Sequence, residues 1–339
     1  MTKSLSSLFF PRQATPTASP VSLARVSETA LRASLWAGVA ISLIFLIARI
    51  WIRLKVFRRL QPDDPFVLTA WLLALAHAVI WTAVSKELYF NLDLATGRIT
   101  NLPPDFLQRI ERLLRGNLAA YLIGYTSLWS IKISFIVFFR KFGEKLRFHR
   151  IAWYVVLGFC VASFAVCIGT VDYRCLTSKG VKMISICMEP RTTSFEFVTL
   201  RLTTALDVLT DFSIIFLSTN VLWRVQLRLW TKLALGGIFS LTIFVVIVAI
   251  VRVVGAPTNG KLDLSWLVCW HGIELSVALI IVSLASFRIL YTSKQQSSRS
   301  GPIGLNQGGS DVSKTARSKT SGTGWTELSD ASATRLEPA

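Results

Sequence analysis

Acidic side chains are scarce in this sequence. Asp and Glu number 19 against 37 Lys and Arg, and charged residues make up only 17% of the 339. Ordinary soluble domains carry nearer a quarter. With 52% hydrophobic residues and a mean hydropathy of +0.53, the chain is too apolar for a soluble protein of this length. That excludes the two or three soluble domains its length would otherwise allow. Histidine is scarce as well. His77, His149 and His271 all lie away from the one loop that holds two cysteines, which argues against a metal site there. No zinc-binding helix motif, phosphate-binding Gly loop or spaced Ser-His-Asp grouping occurs, so motifs assign no enzyme class and no cofactor. No N-x-[ST] sequon occurs either. No repeat relates two halves of the chain, which weakens a secondary-transporter reading. A formal charge of +18 would point to nucleic acid in a soluble chain. Here the basic residues sit between apolar runs, which is how membrane topology is encoded, so the bilayer is the expected partner and nucleic acid is not.

Seven stretches are long and apolar enough to cross a hydrocarbon core, which takes ~20 residues. They run from Leu31 to Ile52, Pro65 to Val84, Asn117 to Phe139, Ile151 to Val171, Phe197 to Leu222, Thr231 to Val253 and Leu264 to Leu290. The expected fold is all-α, a seven-transmembrane-helix bundle. The loops after spans one, three and five hold 12 Lys and Arg, among them Arg53, Arg140 and Arg224. The other loops are mixed in sign. Positive residues stay on the cytosolic side, so the N-terminus is expected outside and the C-terminus in the cytosol, a receptor-like topology. Residues 1–30 form a short N-terminal tail without a cleavable signal, 31–291 the membrane domain, and 292–339 a Ser-, Thr- and Gly-rich tail that reads as disordered and cytosolic. The plasma membrane is favoured over an internal one.

Cys160, Cys167 and Cys269 fall within spans and read as small packing residues. Cys175 and Cys187 share the fourth loop, placed outside, where an oxidising compartment would let them close a disulfide. Their alternative is two free thiols in a mobile loop.

The informative residues are ionisable groups deep in spans, each costing ~2.5–3.5 kcal/mol at a helix centre unless it finds a partner or water. At ~1.5 Å per residue, Lys132 of span three and Asp211 of span five both lie about 21 Å below the outer boundary. Asp207 of span five and Glu274 of span seven lie about 15 Å down, with His271 one turn above Glu274. Asp207 and Asp211 are i,i+4 on one face. Tyr121, Tyr125 and Lys132 line one side of span three. The ligand or polar-network candidates are therefore Tyr125, Lys132, Asp207, Asp211, His271 and Glu274. Two readings stand: a ligand cavity or charge switch between spans three, five and seven, or a buried ion-pair lock that fixes helix register. Arg49, Arg252 and Arg288 sit near helix ends, where snorkelling suffices. A retinal Schiff base needs a Lys in the last span, and that span has none.

Four stretches carry a resemblance. "RRLQPDDPFVLTAW" has paired acids, Asp63 and Asp64, entering span two. "YLIGYTSLWSIKISFIVFFRKF" holds Lys132, Ser134 and Arg140. "LDVLTDFSIIFLSTNVLWRVQLRLWTKLALGGIFSLTIFVVIVAIVR" holds Asp211, Lys232 and Arg252. "WHGIELSVALIIVSLASFRIL" holds Glu274. From about Leu31 to Tyr291 the chain resembles the fungal rhodopsin-domain integral membrane family. That group includes the Pth-type receptor-like proteins of plant pathogens and membrane proteins of satratoxin-type toxin clusters. It departs from the family in lacking a Pro between Ser283 and Arg288 and a Cys-rich domain before span one.

Two functions are expected. One is a receptor-like protein that senses a small apolar molecule and signals to a cytosolic partner through its basic loops. The other is an accessory membrane protein of a fungal secondary-metabolite pathway, either a transport helper or a membrane-embedded enzyme acting on a lipophilic intermediate; an acid-catalysed step would use a protonated carboxyl in an apolar cavity, for which buried Asp207 or Glu274 is the candidate.

Overall fold

The computed structural model describes residues 24–99, 102–140, 147–187, 189–224, 243–258 and 261–297. The tail from 298 onward, the start of the N-terminal tail and the first part of the sixth apolar stretch lie outside these residues. The described chain is helical apart from one two-residue ladder. Its long helices are α1 (Glu28–Phe57), α2 (Asp64–Ala95), α3 (Phe106–Arg140) and α4 (Arg147–Gly169). Two short helices follow, α5 (Tyr173–Thr177) and α6 (Val181–Cys187), then the long α7 (Pro190–Arg224). The rest is α8 (Ile243–Gly255), the antiparallel pair β1 (Pro257–Thr258) and β2 (Lys261–Leu262), and α9 (Leu264–Ser297).

Among the described residues five helical segments are long and apolar enough to span a bilayer: Glu28–Lys55, Asp64–Ala95, Phe106–Arg140, Arg150–Gly169 and Leu264–Ala285. Two of the seven expected spans are missing from that set for physical reasons. Helix α7 is 35 residues long, but its middle carries Arg201, Asp207 and Asp211. The described part of α8 is too short, since 225–242 lie outside the described residues. The chain is a multi-pass membrane protein, and its outer faces suit lipid. Ile44, Ile151, Val155, Phe216 and Val254 are each more than 60% exposed, which water would penalise and hydrocarbon does not.

Local sequence sets the helix ends. Ser27 caps α1 by accepting from the Ala30 N–H, and Arg58 closes it in the left-handed region at φ 50°. Pro65 opens α2, where a missing N–H costs nothing. Asp263 caps α9 through Oδ1, which accepts from the Ser265 and Trp266 N–H groups. Helix α3, at 35 residues, is about 52 Å long, well beyond a ~30 Å core. Its first turns pack with α2 and with Met183 and Ile184 of α6 in a separate apolar cluster. A disulfide joins Cys175 to Cys187, with Cα atoms 5.0 Å apart. The Gly180 N–H donates to Glu111 on α3 at 2.8 Å, fastening this clip to the helix.

Side chains on one helix repeatedly donate to main-chain oxygens on the next. Ser127 donates to the Ala70 carbonyl at 2.7 Å, Trp129 to Cys160 at 3.0 Å, and Trp153 to Ile136 at 2.7 Å. Small residues permit the close approach this needs. A Cβ on Gly38 of α1 would lie 2.1 Å from the Ser276 hydroxyl of α9. The main core gathers Tyr125, Leu128, Trp129 and Ile131 of α3 with Cys160 of α4, Leu217 of α7 and Leu275 and Leu279 of α9.

Candidate functional site

The polar interior has two parts. The first sits where α1 turns into α2. Arg49 and Arg53 are i,i+4 and share a face of α1. The short loop returns Asp63 and Asp64 beside them. Arg49 meets Asp63 at 2.5 Å and Asp64 at 3.1 Å, and Arg53 meets the same two at 2.8 and 2.6 Å. Asp64 Oδ2 accepts from the Gln61 N–H at 2.8 Å. The group is tied further outward. Ser134 of α3 donates to the Asp63 carbonyl at 3.2 Å, and Arg49 Nη1 donates to the Val282 carbonyl of α9. Both arginines are 1% exposed. Snorkelling therefore does not describe Arg49: its guanidinium turns inward because two carboxylates offer more than the membrane interface.

The second part begins at Lys132. Its ammonium lies 2.8 Å from Asp207 Oδ1 and 2.8 Å from Asp211 Oδ1. It also lies 2.7 Å from both the Asp207 carbonyl and Thr210 Oγ1. Four acceptors surround three N–H donors, so no donor is spare. Trp129 places its ring 5.5 Å from the ammonium. Lys132 thus joins both acids of α7, where equal depth had paired it with Asp211 and paired Asp207 with Glu274.

Glu274 instead meets Arg252 of α8 at 2.9 Å. Arg252 is 3% exposed, so it does not snorkel either. Its Nη1 stands 2.9 Å from His271 Nδ1, and its Nη2 donates to Thr204 at 3.4 Å. Arginine can only donate, so His271 Nδ1 accepts and its proton sits on Nε2. Among the described residues that Nε2 has no hydrogen-bond partner, nor have Glu274 Oε1, Asp207 Oδ2 or Arg252 Nε. Rings surround His271: Tyr125 stacks on it at 5.7 Å, and His77 meets it edge-on at 5.4 Å. His77 in turn accepts from Trp81 at 3.1 Å. Gly124 makes room for the two histidines, because a Cβ there would stand 2.7 Å from His271 Nε2. All six candidates from the sequence therefore fall in one region between α3, α7, α8 and α9.

A cavity of about 50 Å³ adjoins the Lys132 centre on the side toward Arg140. Its walls are Ile131 and Phe135 of α3, Ile214 of α7, Val245 of α8, and Ala278 and Ile281 of α9. Lys132, Asp211 and Ser218 supply its polar lining. Among the described residues no group of His, Cys, Asp and Glu is arranged to hold a metal ion.

A family model for the fungal rhodopsin domain matches residues 48–293. The chain belongs to the fungal rhodopsin domain family. Neither a curated protein nor a solved structure matches it. The matched span of this fungal rhodopsin-domain protein contains every member of both polar groups, from Arg49 to Glu274. Sequence reasoning missed six of them in this role: Arg49, Arg53, Arg252 and His77, and also Asp63 and Asp64, which it named only as part of the resemblance. A signal existed for two. An i,i+4 pair of arginines ten residues before an Asp-Asp pair, across a tight loop, is a hairpin spacing that brings charges together. For Arg252 the only hint was arithmetic, since three buried acids stood against one buried lysine. Arg288 keeps its place in α9, with its side chain outside the described set.

Proposed function

We propose that this protein is a seven-helix receptor with its N-terminus outside and its C-terminus in the cytosol, and that it senses a small apolar molecule. The cavity beside Lys132 and Asp211 carries the reading. It is apolar along its walls, ends on a buried ionic centre, and touches α3, α7, α8 and α9 together. A molecule entering it would change the packing of four helices, and the basic loops that follow α3 and α7 would pass that change to a cytosolic partner. The plasma membrane is the proposed site. Tags test the orientation: after Arg147 and after Ala339 they are expected in the cytosol, and near Arg98 outside. A cytosolic tag at Arg98 would reverse the assignment.

The second reading is an accessory protein or enzyme of a secondary-metabolite pathway. The unpartnered carboxylate oxygens of Asp207 and Glu274 favour it, because a buried carboxyl can act on a lipophilic intermediate. Metabolite profiling of a deletion strain separates the two. Loss of one product with a build-up of its precursor supports the enzyme. An unchanged profile with a lost response to an apolar compound supports the sensor.

A further inference from the structure

The cavity has a chemical polarity that follows from counting donors and acceptors on its wall. Lys132 lines it, yet all three of its N–H groups are taken by Asp207, Asp211 and Thr210. Ser218 lines it too, and its hydroxyl proton is committed to the Ile214 carbonyl at 2.7 Å. Asp211 gives Oδ1 to Lys132, and among the described residues no hydrogen bond or ion pair reaches its Oδ2, on a side chain 10% exposed. Among the described residues, the wall therefore offers free acceptors, Asp211 Oδ2 and Ser218 Oγ, and no free donor. Charge points the same way. Among the described residues the connected interior holds three carboxylates, Asp207, Asp211 and Glu274, against two cations, Lys132 and Arg252. The remaining ionisable groups near it, Tyr121, Tyr125, His77, His271, Cys160 and Cys167, supply no fixed positive charge. Deeper in the same network two acceptors, Asp207 Oδ2 and Glu274 Oε1, and two donors, Arg252 Nε and His271 Nε2, have no hydrogen-bond partner among the described residues, and neither donor is on a residue lining the cavity.

We infer that the ligand of this cavity is a small apolar molecule bearing a protonated amine, which donates to Asp211 Oδ2 and Ser218 Oγ. This rests on the sensing reading and narrows it. A carboxylic acid of the same shape would bring a second negative charge to a wall with no donor to meet it. An alcohol can donate one proton but does not offset the excess charge.

Three ligands with one apolar body, small enough for a cavity of about 50 Å³, test it: ethylamine, ethanol and propionate. The full-length protein is placed in neutral phosphatidylcholine nanodiscs, and its unfolding midpoint is followed as each is titrated. A ligand that binds the folded state raises the midpoint saturably. The amine is expected to act at roughly tenfold lower concentration than the alcohol, since a charge-assisted bond replaces a neutral one. The carboxylate is expected to have no saturable effect. Asp211→Asn should bring the amine down to the level of the alcohol, and Ala278→Leu, which fills the cavity, should remove both responses. If Asp211→Asn does not fold, the ranking on the native chain still decides. A carboxylate or alcohol that equals or surpasses the amine overturns the inference while leaving a ligand-binding cavity in place. No saturable response to any of the three overturns the cavity as a sensing site along with it.

Discussion

Two buried ionic groups sit in one helical bundle and are built on different rules. The group at the α1–α2 turn has two arginines and two aspartates, and each of its four carboxylate oxygens has a partner. The group around Lys132 and Arg252 has three carboxylates and two cations, leaves oxygens unmatched, and borders a cavity. Buried charge is tolerated only when its partners offset the lost solvation. Closure at the first group makes it scaffold. The second bears an imbalance that the first does not, and a group of that kind has room for something to arrive. Buried charge in a membrane protein is thus not a single category, and the tally of partners decides which kind it is.

The most damaging way to break the comparison is at the closed group. Asp63→Ala leaves two arginines facing one aspartate, and a stranded buried charge costs about 3–5 kcal/mol. Very little monodisperse protein should be recovered in detergent, measured by size exclusion of a fluorescent fusion. Recovery close to native would remove the claim that this group is scaffold.

Lys132→Met comes next, because it strands two acids. Its rescue sharpens the contrast. Pairing Lys132→Met with Asp211→Leu should restore only part of the yield, because Asp207 still lacks its cation. Adding Asp207→Leu should restore most of it, since replacing a buried ionic set by apolar groups is often neutral. Full rescue by the double change alone would mean that Asp207 does not depend on Lys132. Asp211→Leu by itself should be milder, about 1.5–3 kcal/mol, because Lys132 keeps Asp207.

Gly124→Ala is a smaller intrusion at the open group. The added methyl meets His271 Nε2, and overpacking of this kind costs about 1–3 kcal/mol. A lowered thermal midpoint with normal yield is expected. An unchanged midpoint would show that the two histidines have room to part.

Least of all should follow from opening the clip, which touches neither group. Cys175→Ser with Cys187→Ser should speed proteolysis between 172 and 189 and leave the midpoint of the bundle where it was. Both native thiols should resist labelling until reduced.

Hydropathy along the chain was enough to find the spans, because lipid selects for long apolar runs whatever their neighbours. It also located Lys132, Asp207, Asp211 and Glu274, since a charge inside an apolar run stands out. Pairing was harder to read. Depth estimates gave Asp207 to Glu274, yet depth is one coordinate and a partner needs three. Arg252 closes a run of valines and isoleucines, where a long cationic side chain has two ways to turn, and only the position of α9 decides between them. Arg53 counted as a cytosolic loop charge, although it lies inside α1. The same positive residue serves topology or packing according to where the next helix returns.

The tie between Arg49 and Val282 has a consequence for genetic screens. Its acceptor is a main-chain oxygen, which every amino acid supplies. Any residue that keeps the helix leaves that half of the contact intact, so a scan through 282 would register only the packing of a buried side chain and not the contact, while changes at 49 would be severe. The same holds for Ala70, Cys160 and Ile136, each an acceptor through its backbone alone. A substitution map of this bundle would therefore be lopsided: arginine, serine and tryptophan needed for their donors on one helix, facing buried positions on the next where packing alone limits the side chain.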